Sequence, residues 1–73
     1  MNRQEALAAL NELIQRHKEM FLCADLVELR KNDGVEIRIK CDLDAHGRKV
    51  VDDFLKERNL HMRQEEGYII VYQ

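Results

Sequence analysis

The triplet Asn32-Asp33-Gly34 separates two short runs in which apolar and charged residues alternate, Leu26 to Leu29 and Val35 to Ile39. Such a triplet between alternating runs signals a β-hairpin. Its register decides the fold, because a slip of one residue turns every side chain to the other face of the sheet. A two-residue loop, Asp33-Gly34, sets Leu29 against Arg38 and Asn32 against Val35, an apolar residue beside a polar one each time. A three-residue loop with Gly34 left-handed sets Lys31 against Val35, Leu29 against Ile37 and Val27 against Ile39. The other face then pairs Arg30 with Glu36 and Glu28 with Arg38, and such opposite charges contribute roughly 0.2–1 kcal/mol per pair. The three-residue register is the expected one.

The rest of the chain supplies helices on either side of this hairpin. From Asn2 to about Leu22, the residues Leu7, Leu10, Leu13, Ile14, His17 and Phe21 recur at helical spacing. Asn2 and Glu5 form a cap pair. The first hairpin runs from Asp25 to about Cys41. "DAHGRKVVDDFLKERN" reads as a second helix, capped by Asp44, with Val50, Val51, Phe54 and Leu55 inward and Asn59 as its left-handed end. "LHMRQEEGYIIVYQ" is a further strand-turn-strand with Gly67 in the turn.

The order α-β-β-α-β-β predicts an α+β two-layer sandwich. It has two helices on one face of a four-stranded mixed sheet, with strand order 3-4-2-1. This is the order a ferredoxin-like fold takes when its first strand is moved to the C-terminus, a circular permutant. At 73 residues the chain is one domain, residues 1–73, close to the size at which a single core just suffices. It is 45% hydrophobic with three Gly and no Pro, a composition for regular structure rather than disorder. Charged residues make up 36% and the net charge is −2, which argues against general phosphate binding but leaves room for a local basic patch. "MNRQEALAAL" has no apolar run suited to a signal peptide or membrane span, so the expected location is cytoplasmic, with no membrane partner. There Cys23 and Cys41 stay thiols.

Chemistry is sparse. The chain holds no Ser and no Thr, which removes those nucleophiles, and neither cysteine sits in a Cys-His motif. A non-enzyme without cofactor is expected. "CDLDAHGRK" begins like a calcium loop, with Asp42, Asp44, His46 and Gly47, and Asp53 at the twelfth position. His46 replaces an oxygen ligand, however, and Arg48 and Lys49 add positive charge. A transition-metal site could draw on Cys41, His46, Cys23 or His17, but paired ligands at zinc-finger spacing are missing. Cys41 reads instead as a small buried hydrophobe, and His17 as a core-edge residue with one nitrogen hydrogen-bonded. No metal is expected. His46, Arg48 and Lys49 at a helix N-terminus could hold an anion. The competing reading pairs Arg48 with Asp52 and Lys49 with Asp53 along the helix.

Residues 35–73, with their strand, Asp-rich bend, helix and "EEGYIIVY" hairpin, resemble the second half of the small sulfur-carrier proteins. Those proteins carry a Cys-Pro motif at the start of their first helix. This chain has no proline, so the resemblance carries no function across.

The second hairpin separates two functional readings. A three-residue loop, Glu65-Glu66-Gly67, pairs Leu60 with Tyr72 and Met62 with Ile70 on the helix-covered face. Ile69 and Val71 then lie on the open face with Leu26, Arg38, Lys40, His61 and Arg63, an interface for a homodimer or protein partner. A two-residue loop pairs Met62 with Val71 and turns Tyr68, Ile70 and Tyr72 outward, beside Arg38, Lys40 and Arg63. That arrangement is a stacking platform for single-stranded RNA. Glu66 needs positive φ in the two-residue loop, which disfavours it. The expectation is therefore a non-enzymatic interaction or regulatory module that self-associates through the open sheet face, with RNA binding as the alternative.

Overall fold

The computed structural model describes residues 1–29 and 34–73. Helix α1 spans Arg3–Arg16, opened by a full capping box. Asn2 accepts from Glu5 N at 2.8 Å, and Asn2 N donates to the Glu5 carboxylate at 3.1 Å. Its inward face is Ala6, Ala9 and Leu13, while Leu7 points to solvent. Two alanines on that stripe bring the helix backbone close to the sheet.

The helix does not run on to Leu22. It ends at His17 (φ −149°, ψ 99°), and Met20–Cys23 form a separate turn, α2. Length accounts for the break. Fourteen helical residues cover about 21 Å, and the strands beneath, at five or six residues each, cover roughly 17–20 Å. A longer helix would overshoot the sheet. The break buries Met20 but carries Phe21 off the apolar stripe, so that Phe21 is 71% and Leu22 78% exposed.

Strand β1 (Ala24–Glu28) is followed by β2 (Val35–Lys40), helix α3 (Ala45–Arg58), β3 (His61–Glu65) and β4 (Tyr68–Tyr72). Asp44 caps α3 by accepting from Gly47 N at 2.7 Å, and Asn59 ends it in the left-handed region (φ 54°, ψ 40°). The sheet order is β1-β2-β4-β3. Its neighbours are those of the expected order read from the opposite edge. Every adjacent pair is antiparallel, so the sheet is not mixed.

The first hairpin departs from its expected register. Leu26, not Leu29, lies opposite Ile37, Ala24 lies opposite Ile39, and Leu29 N donates to Gly34 O at 2.8 Å. The shift is three residues, an odd number, so β1 turns over. Leu26 and Ala24 now pack on the core, and Asp25 replaces Glu28 as the partner of Arg38. The early end of α1 lets the strand start at Ala24 and makes this register available. The loop assigned to Asn32-Asp33-Gly34, and with it the left-handed Gly34, involves residues outside those described.

The second hairpin also departs from the first expectation. Glu66 (φ 46°) and Gly67 (φ 86°) form a two-residue turn with both centres left-handed, and Met62 pairs with Val71. A non-glycine residue in that region costs roughly 1–2 kcal/mol. The other register would carry the Tyr68 and Tyr72 hydroxyls to the helix side, and each buried hydroxyl without a partner costs about 1–3 kcal/mol. The observed register instead seals Ile69 and Val71 into the core with Phe54, Leu13, Met20, Ile37, Ile39 and Val51. Strain at one residue is the smaller cost.

The two long helices are joined at their ends by charge. Arg16 donates to both Glu57 oxygens at 2.6 and 3.1 Å, and Arg58 meets Glu12 at 2.9 Å. Both guanidinium groups lie over the Phe54 ring, 5.4 and 5.2 Å from its centroid. Among the described residues, no helix is long and apolar enough to cross a membrane.

The turn provides a test. Gly67→Val should destabilise the protein by more than about 1 kcal/mol in urea unfolding, and Glu66→Asn should stabilise it by several tenths of a kcal/mol, because Asn tolerates the left-handed region. A neutral Gly67→Val would contradict the turn.

Candidate functional site

The helices cover one side of the sheet. The other side carries Asp25 and Val27 from β1, Glu36, Arg38 and Lys40 from β2, Tyr68, Ile70 and Tyr72 from β4, and His61, Arg63 and Glu65 from β3. This face follows directly from alternation: with Ile37, Ile39, Ile69 and Val71 packed inward, their sequence neighbours must point out.

The face is built in tiers around Ile70, which is only 6% exposed although it lies outside the core cluster between sheet and helices. Tyr68 and Tyr72 flank it along β4. The Arg38 guanidinium carbon lies 4.8 Å from the Tyr68 centroid, and that of Arg63 lies 5.3 Å from Tyr72. Carboxylates hold each arginine in place. Arg38 donates to both Asp25 oxygens at 3.1 and 2.9 Å. Arg63 donates to both Glu36 oxygens at 3.0 and 2.9 Å and to Glu65 at 2.7 Å. These hydrogen bonds raise the pKa of Arg63, from Glu36 first and Glu65 second, and that of Arg38 through Asp25. His61 lies against Tyr72, ring centroids 5.6 Å apart. Lys40 is exposed at the end of β2.

Arg38, Lys40, His61 and Arg63 therefore lie on the open face as expected. Leu26, Ile69 and Val71 do not: they face the helices, and Ile69 and Val71 are fully buried. Tyr68, Ile70 and Tyr72 take their place, as in the alternative reading of the second hairpin. The signal was present in "YIIVY". Of its two alternating sets, the one without hydroxyls is the one a core accepts without further partners.

A second cluster joins α1 to α3. His17, at the C-cap of α1, places Nε2 3.7 Å from a Glu19 oxygen and 3.9 Å from Asp44 Oδ1. Its ring meets the edge of His46, with centroids 5.2 Å apart. The approach depends on Gly47, where a Cβ would stand 3.1 Å from His17 Nε2. The anion reading of His46, Arg48 and Lys49 gains no free cation here, since Arg48 lies 3.6 Å from Asp52 and Lys49 3.2 Å from Asp53. Asp53, the twelfth position of the calcium-loop reading, lies within α3 and is that lysine's partner.

Cys41 is exposed rather than buried: it lies one residue past the end of β2, where its backbone N still donates to Gly67 O at 3.0 Å. Cys23 is half-buried, and its thiol pKa is raised, mainly by burial and next by the Asp42 charge. Compared with protein-family models, curated proteins and solved structures, the chain matches none.

The thiols separate by environment. In the native protein at neutral pH, Cys41 should react promptly with a thiol reagent and Cys23 several-fold more slowly, as burial and thiolate fraction dictate. Mass spectrometry of partly labelled protein checks the order. Faster labelling of Cys23 would contradict the packing of α2.

Proposed function

We propose that the protein is a non-enzymatic interaction module that self-associates through its open sheet face. The observation that carries this reading is the pair of arginine-covered tyrosines on either side of Ile70. Tyrosine and arginine are the residues that most often dominate binding energy at protein interfaces. Here carboxylates already hold both arginines, so little side-chain freedom is left to lose on docking.

Charge favours a second copy as the occupant. The cations Arg38, Lys40 and Arg63 are matched by Asp25, Glu36 and Glu65, so the face is balanced and can meet itself across a two-fold axis. The area sets the strength. Four strands of this length present on the order of 300–500 Å², below the ~800 Å² per partner of a standard stable interface, so the dimer is weak.

The strand order and antiparallel pairing support reading the domain as a ferredoxin-like permutant. Two unpaired cysteines fit a reducing, cytoplasmic setting. Single-stranded RNA is the second reading, favoured by the outward tyrosines. The committed arginines weigh against it, since a phosphate would have to compete with Glu36 and Asp25 for them.

Sedimentation equilibrium over a wide concentration range tests both. The expected result is a weak monomer–dimer equilibrium, with Tyr72→Ala weakening it by about 2 kcal/mol, roughly thirtyfold, and leaving the circular dichroism unchanged. A monomer at every concentration would refute self-association. Salt-sensitive binding of single-stranded RNA, lost in Tyr68→Ala, would establish the second reading.

A further inference from the structure

We propose that His17, Glu19, Asp44 and His46 form a binding site for a divalent transition-metal ion of the zinc type at the junction of α1, α2 and α3. Ligand atoms of His17, Glu19 and Asp44 all lie within 4.8 Å of one another. Tetrahedral zinc with N and O ligands at its usual bond lengths separates those atoms by about 3.4 Å. The two measured separations from His17 Nε2, 3.7 and 3.9 Å, are within about half an ångström of that spacing. A small movement of two exposed carboxylates closes the set.

His17 distinguishes this cluster from an ordinary acidic surface. Its side chain is only 10% exposed, and among the described residues no hydrogen bond within normal distance reaches its ring nitrogens. A histidine side chain set this deeply ordinarily has a hydrogen-bond partner. This one is aimed between two carboxylates that stay just beyond hydrogen-bond range, a few tenths of an ångström wider than the spacing an intervening cation would set. Gly47 is buried beneath it and leaves the room that any side chain there would fill. His46 is exposed and edge-on to His17, so rotation of its side chain can supply a fourth ligand.

The donor set suits the ion. Two neutral imidazoles and two carboxylates give a neutral site with a divalent metal, and imidazole selects zinc and its transition-series neighbours over calcium or magnesium. Asp44 accepts from Gly47 N, yet a carboxylate has lone pairs enough to cap the helix and bind a metal together. Arg48 and Lys49 are close by but paired with Asp52 and Asp53. The cysteines are not needed.

Equilibrium dialysis of chelator-treated protein against zinc alone provides the test, with cobalt substitution to report coordination through its visible spectrum. One zinc per chain is expected, with a raised melting temperature and a tetrahedral cobalt spectrum without thiolate charge-transfer bands. Glu19→Gln alters an exposed side chain, and Asp44→Asn preserves the helix cap because Asn caps as well as Asp. Each should weaken zinc binding tenfold or more while the metal-free protein keeps its fold. The double variant Cys23→Ala, Cys41→Ala should bind as the parent does. No binding at millimolar zinc, binding that survives both carboxylate variants, or binding lost with the cysteines would each overturn the proposal.

Discussion

The turn at Glu66 and Gly67 sets β3 against β4, and through β4 it settles what the protein shows to solvent. With two residues in the turn, Met62 meets Val71 and Gln64 meets Ile69. Ile69 and Val71 then fill the layer between sheet and helices with no exposed surface. Tyr68, Ile70 and Tyr72 are left for the open side. One more residue in the turn would exchange these sets, placing two hydroxyls in an apolar core and two branched aliphatics in water. Left-handed strain at Glu66 is tolerated because the whole of β4 is arranged by it.

From that arrangement the charge pattern follows. Arginines from the strands on either side reach over the β4 tyrosines: Arg38 is fixed by Asp25 directly across on β1, and Arg63 by Glu65 two residues along its own strand and by Glu36 on β2, across β4. Ile70 is shielded by this layer, so the open face is not a bare apolar patch. It is a flat, firm and electrically balanced surface. On the proposed reading, a charge-balanced surface of this kind is matched to a like surface better than to a polyanion.

The helix caps at Asn2, Asp44 and Asn59 were the most legible features of the sequence, because each acts through local hydrogen bonds and backbone geometry that need no tertiary partner, whereas the end of α1 at Arg16 was not. The stripe from Val51 to Leu55 was legible for the same reason. Strand registers were harder. In the first hairpin, Leu29–Ile37 and Leu26–Ile37 both pair apolar residues, and the choice fell to the end of α1, fixed by the length of the sheet beneath it. In the second, a local rule against positive φ at Glu66 pointed one way and the burial of Tyr68 and Tyr72 hydroxyls pointed the other. The non-local term was larger. The His17–Asp44 approach was not legible at all, since it joins residues from two helices across a glycine, and neither spacing nor motif marks it.

The facing of β4 decides both the core and the open face, and cross-strand proton contacts measure it directly. In a two-residue hairpin, Met62 and Val71 form a non-hydrogen-bonded pair whose Hα atoms come close, so a strong Hα–Hα nuclear Overhauser effect between them is expected, with another between Gln64 and Ile69. Strong Hα–Hα contacts of Arg63 with Ile69 and of His61 with Val71 in their place would put the tyrosines in the core and contradict the two-residue turn.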